Sequence, residues 1–597
     1  MSEGKNKQFW WAILFGSIIL LGLCAFAYRS YKQGGYFTED AYISLRFATN
    51  FANGNGLVWN VGGERVEGYT SPVHIFLLAV AIKSGLAATK STLVIGIASI
   101  LGLLGLFVFM LRREAGALVP IGAIVAFVFL VDFRLAVHAT AGLDTPLYFL
   151  LLAICYCIAV WFVESPGWRS AAALAVMNVV CLLGRPDAAP FIAGQGLVVL
   201  AYALLIYRKE RSTDVLRFSV VSYLLLVAIG ASYLTLKYFY FGYVLPNPFY
   251  IKSNDYLSFY GLPMVVEFLE VMAWRLGPII LLSLPFLAYA QIGEWWKKPG
   301  TRIRMALMLV PPAVFLFYYT MVIHEVSYLS RFEYPSYFFF CLAVAIVLSV
   351  GNPVMNLFDM LSKRITAAVA GAVIGVISIL ALGSILWSTH YGFPWFRIME
   401  TKYYRPIGEA LASTDLGPKG KIVFDSAGIV PFVSEFTHID PVGLTENALS
   451  GRDPMTVEER EKYIWGTNPD VYIGPEPPAS GGATNCESEP LVSSEYLKKV
   501  LLYEDRFQVM TQYLSVYGRL SPSEQCEIIH MRMRELRDNW EMLGEFPHPA
   551  PQPSEYTTFV YVRKESPYKK RLTTALTTLV TNEPEDIDYG IPGRTEN

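Results

Sequence analysis

Apolar runs recur along the first two thirds of the chain, each closed by a short polar or basic turn. Their cores lie near 9–27, 91–111, 117–133, 143–163, 170–184, 188–207, 216–236, 264–290, 304–322, 336–351 and 365–387. Runs of about 20 residues match the thickness of a bilayer, so the pattern predicts about eleven transmembrane helices. The apolar piece from Val73 to Ile82 is too short to cross and predicts an interfacial helix. Basic turns at Arg112-Arg113, Arg208 to Arg211, Lys297-Lys298 with Arg302 and Arg304, and Lys363-Arg364 then all fall on the N-terminal side. Counting Val73–Ile82 as a crossing would put these later basic turns on the far side, against the positive-inside bias. Two lysines precede the first run, and no small-residue cleavage site follows it. The run therefore reads as a retained helix with a cytoplasmic N-terminus rather than a signal peptide. An odd number of crossings sends everything after Trp387 to the outer face.

The pattern changes at His390. Proline, glutamate and asparagine become frequent, and no later run is long enough to span. Lys421 to Asp425 reads as a strand ending in the Ser426-Ala427-Gly428 turn, and Asn468-Pro469-Asp470 leads into a short strand at Val471–Gly474. Pro406 suits the first turn of a helix through Leu411. The fold class expected is a polytopic α-helical membrane protein with a C-terminal soluble α/β domain. Residues 1–387 form the transmembrane part, with a first outer loop at 28–90, and 388–597 form a domain of ordinary size, about 200 residues. The polar, acidic tail beyond Asn582 reads as loose.

Composition agrees with two regions of different character. The chain has 597 residues, 54% hydrophobic and 16% charged, which is too apolar for a wholly soluble enzyme. A net charge of −2 gives no electrostatic case for nucleic acid. Five of the seven cysteines lie in apolar runs; Cys486 and Cys526 lie in the polar part and either pair in an oxidising compartment or stay free.

Candidate chemistry collects on the outer side. Thr38-Glu39-Asp40-Ala41-Tyr42-Ile43-Ser44 places two carboxylates just beyond the first apolar run, a costly position to draw back into lipid. Asp40, with Glu39 beside it, is the candidate base for an acceptor hydroxyl; its alternative role is to cap the helix over 41–51. Lys252, Arg331 and Arg185 are candidates for charge that builds on a leaving phosphate. Lys252 and Arg331 alternatively anchor loops to lipid head groups, and Arg185 alternatively pairs with Asp187. Tyr42, Trp59 and Tyr69 are candidates to pack on sugar faces, with Arg46, Glu67 and His324 as further binding candidates; His324 also reads as an interfacial histidine. Asp144 in Asp144-Thr145-Pro146 reads as a helix cap. Polar groups at Asp132, Arg134 and His138 belong to the same side. No HExxH or CxxC metal motif occurs, and Glu39-Asp40 alone is weak evidence for a divalent cation.

The stretch Glu39 to Phe47, with Gly56-Leu57-Val58-Trp59-Asn60 and Val66 to Pro72, resembles the first loop of bacterial arabinofuranosyltransferases. Those belong to the GT-C superfamily of polyprenyl-phosphate-sugar-dependent glycosyltransferases. Gly142 to Leu147, Arg185-Pro186-Asp187 and Pro246 to Lys252 resemble later motifs of that group. The resemblance covers most of the membrane part and Ala427 to Gly443. It implies a catalytic acidic motif, with Glu39-Asp40 standing where some relatives carry two aspartates. It further implies a polyprenyl-phosphate-linked sugar donor, a glycan or pilin-like protein acceptor, and residence in the bacterial cytoplasmic membrane with an extracytoplasmic C-terminal domain. Arabinofuranose is the sugar expected. A lipid-linked-sugar flippase or a non-catalytic envelope-assembly protein is the alternative; a flippase would show internal repeats and helices broken near the midplane, and no repeat is evident.

Overall fold

The computed structural model describes residues 2–116, 119–252, 259–298, 300–322, 328–352, 397–453, 455–474, 522–547 and 557–580. Among these, seven helices are long and apolar enough to cross a membrane, or nine if two bent pairs count as one span each. The described residues therefore do not confirm all eleven expected crossings. The 117–133 run divides into α5 (Pro120–Leu130) and α6 (Phe133–Thr140) with a 56° bend. The 264–290 run bends by 101° between α12 (Leu262–Ser283), with its 3-10 extension to Phe286, and α13 (Tyr289–Lys297). The 170–184 run is α8 (Trp168–Gly184), only 17 residues long. The 365–387 run, Lys363-Arg364, the expected boundary at 387, His324, the Cys486–Cys526 pairing and the tail beyond Asn582 lie outside the described residues or side chains.

The spans with single helices are α1 (Ser2–Gln33), α4 (Ala88–Ala115), α7 (Thr145–Glu164), α9 (Ala189–Glu210), α10 (Asp214–Phe241), α14 (Thr301–Met321) and α15 (Tyr334–Gly351). Their core is aromatic and aliphatic, with Phe107, Phe129, Tyr156, Phe191, Phe315 and Phe339 all buried. One end of the bundle is tied by ions. Arg304 at the start of α14 reaches Glu114 of α4 at 2.7 Å and Glu164 of α7 at 3.2 Å. The first loop precedes α4 and Arg112-Arg113 lie in its last turn, so the loop and this basic turn lie at opposite ends of that helix.

Between α1 and α4 the chain forms α2 (Glu39–Ala52) and α3 (Pro72–Lys83). Acidic residues in the first turn of α2 suit the positive end of the helix dipole, and Ala41, Tyr42, Leu45 and Ala48 supply its buried stripe. The short α3 matches the expected interfacial helix in length.

The C-terminal part builds a five-stranded sheet in the order β2-β1-β3-β5-β4. β1 (Lys421–Phe424) and β3 (Val471–Gly474) fall where the sequence pattern predicts them. β2 (Thr437–Ile439) and β3 both run parallel to β1. β4 (Trp540–Pro547) and β5 (Thr557–Arg563) extend the sheet antiparallel. The helix begun by Pro406 is Arg405–Ala412. Side chains alternate across β1: Ile422 and Phe424 enter the cluster that also holds Leu45, Phe47 and Trp59 of the first loop, while Val423 enters the opposite one with Tyr472 and Trp540. One hydrophobic core therefore joins the first loop to the sheet.

Candidate active site at the junction of loop and sheet

The helix α2 starts at Glu39, with Thr38 at the N-cap position. Asp40 lies inside the first turn and does not cap it, which removes the capping role as its explanation. Thr38 instead bonds the Ala141 carbonyl through its N–H at 3.1 Å and its hydroxyl at 3.3 Å. The turn after Ala141 can approach this closely because Gly142 takes φ +85° and a Cβ there would meet Ala41 at 2.7 Å.

Glu39 and Asp40 face different surroundings. The Glu39 carboxylate accepts the backbone N–H of Gly428. Dehydration first, then the charge of Asp40, pushes this carboxyl well above its ordinary range; the Gly428 bond opposes the rise, and Asp425 and Asp440 add to it. Asp40 is half-buried, and its carboxylate makes no hydrogen bond or ion pair with any described residue.

The other first-loop candidates are engaged in contacts within the protein. Tyr42 is buried, its ring edge-on to Phe37 and Phe432, and its hydroxyl donates to Glu400 at 2.6 Å and accepts from Arg405 at 2.9 Å. Trp59 is buried and donates Nε1 to His438 Nδ1 at 3.2 Å. Because the indole only donates and the Phe424 carbonyl only accepts, His438 carries its proton on Nε2, 2.7 Å from that carbonyl; burial lowers it to about 3. Tyr69 packs on Phe47 with centroids 4.9 Å apart and is also buried. None of these three rings is placed to lie on a sugar, a correction to the reading of the loop as an aromatic surface. Tyr42 and Trp59 are covered by C-terminal residues, Glu400 and Phe432 over the first and His438 over the second.

Arg46 is a tether. It donates to the Trp59 carbonyl at 2.9 Å, Asn60 at 3.1 Å, the Phe436 carbonyl at 2.8 Å and the Pro431 carbonyl, with its guanidinium 4.6 Å from the Trp59 ring centroid. Burial lowers it to about 9. Glu67 pairs with Lys237 of α10 at 2.5 Å; burial raises it to about 7 despite that pairing. Its backbone N–H donates to the Tyr243 hydroxyl at 2.8 Å, and its carbonyl accepts the Asn247 N–H at 3.0 Å. Glu67 thus anchors the segment leading into α11 (Asn247–Lys252).

Of the phosphate candidates, Lys252 ends α11, its side chain outside the described residues. Arg331 is half-buried and stacks on Phe332 at 4.7 Å. Arg185 pairs with Asp187 at 3.0 Å and Asp144 at 3.5 Å and lies 4.8 Å from the Phe332 ring. Asp144 stands at the N-cap position of α7, but its side chain makes no capping bond; Arg185 takes it instead. Asp132 does cap, accepting Arg134 N–H at 2.9 Å, and it also receives the Tyr334 hydroxyl at 2.7 Å and pairs with Arg275. Among the described residues no three His, Cys, Asp or Glu side chains converge as a metal site.

Reasoning from the sequence missed Glu400, His438, Asp440 and Lys237. Only Lys237 carried a signal: a cation at the end of the apolar 216–236 run needs a partner.

No family model matches the chain. Over 193 residues it is 28% identical to the terminal β-(1→2)-arabinofuranosyltransferase of Mycobacterium tuberculosis (strain ATCC 25618 / H37Rv). That match spans 30% of this chain and 30% of the relative. Among solved structures, the chain is similar to ArnT from Cupriavidus metallidurans in the apo state, at 14% identity and a TM-score of 0.49, covering 78% of this chain and 92% of ArnT. For ArnT bound to undecaprenyl phosphate the values are 15%, 0.46, 72% and 85%.

Proposed function

We propose that this chain is a membrane glycosyltransferase of the GT-C type. It moves a sugar, arabinofuranose, from a polyprenyl-phosphate donor to an extracytoplasmic acceptor, a cell-envelope glycan or pilin-like protein. The observation that carries the reading is the contrast within the acidic motif: Glu39 is engaged by Gly428, whereas the Asp40 carboxylate has no described partner. A general base must reach its substrate's proton, and a carboxylate already spent on structural bonds cannot. The partial identity to the mycobacterial arabinofuranosyltransferase supports the choice of sugar.

In this reading Asp40 takes the proton of an acceptor hydroxyl as its oxygen forms a bond to the donor's anomeric carbon. The bond from that carbon to the phosphate oxygen breaks, and its electron pair leaves with the polyprenyl phosphate. Charge grows on the phosphate, and fixed cations lower the barrier by meeting it. Lys252 and Arg331 serve there. Arg185 is already held by two carboxylates and serves as support for the bundle. The junction faces the outside, with the N-terminus in the cytoplasm, which lets a lipid-linked donor enter from the bilayer while the acceptor arrives from water.

The test is a transfer assay with the purified protein in lipid nanodiscs, a polyprenyl-phosphoryl arabinofuranose and an arabinan oligosaccharide. Release of one polyprenyl phosphate per sugar transferred is expected. In vesicles, movement of the donor across the bilayer with no phosphate released would identify a flippase instead.

A further inference from the structure

The sheet changes the direction of its connections at β1, beside the first loop. Its two parallel neighbours, β2 and β3, lie on opposite sides of β1, so the chain reverses direction across the sheet there. Open α/β sheets take their ligands outside the carboxyl ends of strands at such a reversal. Here the turn leaving β1, from Asp425 to Gly428, receives the first turn of α2 instead. Glu39 from the first loop sits where a ligand would.

We propose that this turn is the positioning element for Asp40, so that docking of the C-terminal sheet onto the first loop sets the catalytic geometry. This rests on the reading of Asp40 as the base. Successive residues on a helix point about 100° apart. Fixing the Glu39 carboxylate on Gly428 therefore fixes the direction in which Asp40 leaves the helix. The entry into α2 is gripped from two other directions. Thr38 is held by Ala141 of the bundle at 3.1 Å, and Phe37 N–H donates to Glu400 at 2.9 Å. The approach to Gly428 is tight: a Cβ at that position would stand 2.6 Å from Glu39 Oε1 and 2.7 Å from its carboxyl carbon. Only glycine lets the loop seat this deeply, and any side chain there would push the α2 turn outward. Glu39 is a positioning residue in this account, and the sheet domain serves the chemistry without touching the substrate.

The experiment uses the full-length protein in nanodiscs with the polyprenyl-phosphoryl arabinofuranose assay, reading kcat and donor KM separately. Misplacing a catalytic group by about 1 Å costs on the order of 100-fold in rate. Glu39→Ala and Gly428→Ala should each lower kcat about 10- to 100-fold while donor KM stays within about threefold. Glu39→Gln keeps an oxygen for the Gly428 N–H and should recover most of kcat. Combining the two Ala changes should cost no more than Gly428→Ala alone, whose Cβ would also stand 2.0 Å from the Glu39 backbone oxygen. Should Gly428→Ala fail to accumulate, Glu39→Ala carries the test, because it removes atoms and adds none. A normal kcat in Glu39→Ala overturns the proposal, as does a Glu39→Gln variant as slow as Glu39→Ala, which would make the charge itself essential. If Asp40→Asn is inactive while Glu39→Ala is normal, the coupling alone fails; a normal Asp40→Asn instead removes the base reading.

Discussion

Glu67 of the first loop and Lys237 of α10 meet at 2.5 Å, with 2% and 6% of their side chains exposed. An ion pair this dry gives little net stability as a pair, but losing one member strands the other. Lys237→Ala should therefore destabilise the protein by about 3–5 kcal/mol, and the segment into α11 should loosen with it. The midpoint of unfolding in detergent measures the first effect. Accelerated hydrogen exchange over 243–252 measures the second.

The same pair sets a pH dependence. Burial raises Glu67 from 4.5 to about 7 in the folded chain. The folded state then binds this proton more tightly than the unfolded one, so the contribution is fully present below about 4.5 and lost as pH rises through about 7. Glu67→Gln cannot titrate and should show a flatter stability profile across that window than the parent. Parallel profiles for the two proteins would place the titration elsewhere.

Arg46 spends its donors on the Trp59, Pro431 and Phe436 carbonyls and on Asn60. Hydrogen bonds from a charged donor contribute about 1.5–3 kcal/mol each. Arg46→Lys retains charge but not the planar fork and should still loosen the loop from the sheet domain. Faster proteolysis within 397–453, with the membrane bundle intact, is the expected signature. Resistance equal to the parent would show that the hydrophobic contacts alone hold the junction.

Lys252 and Arg331 are proposed to meet the donor phosphate. Each changed to Ala should raise donor KM or lower kcat more than it lowers stability, and Arg331→Lys should not fully restore Arg331→Ala because a point charge replaces a planar donor. Steady-state kinetics with varied donor decide it; unchanged constants in both Ala variants would leave these cations as lipid anchors.

Much of the architecture was legible in the chain. Apolar runs located most of the spanning helices, and short apolar runs beside turn residues located β1 and β3. The Thr557–Arg563 run, Thr-Thr-Phe-Val-Tyr-Val-Arg, carries a strand signal as strong as theirs and forms β5. The position of Asp40 in a helix start was also readable. The roles of Tyr42 and Trp59 were not. Their hydrogen-bond partners, Glu400 and His438, lie 358 and 379 positions away, and local patterning cannot report a contact of that separation. An aromatic loop beside a membrane has the same composition whether it faces a sugar or a second domain. Asp144 failed for a related reason: its sequence context fits a cap, but Arg185 arrives from another helix and takes the carboxylate.

If Asp40 removes the acceptor's proton, Asp40→Asn takes away the base and little else. Asparagine keeps the size and lies in the same first turn, but it cannot act as the base. Transfer from a polyprenyl-phosphoryl arabinofuranose should fall by at least about 100-fold, the lower range for general-base catalysis, while expression and donor binding persist. Near-normal turnover in the Asp40→Asn variant would contradict the account.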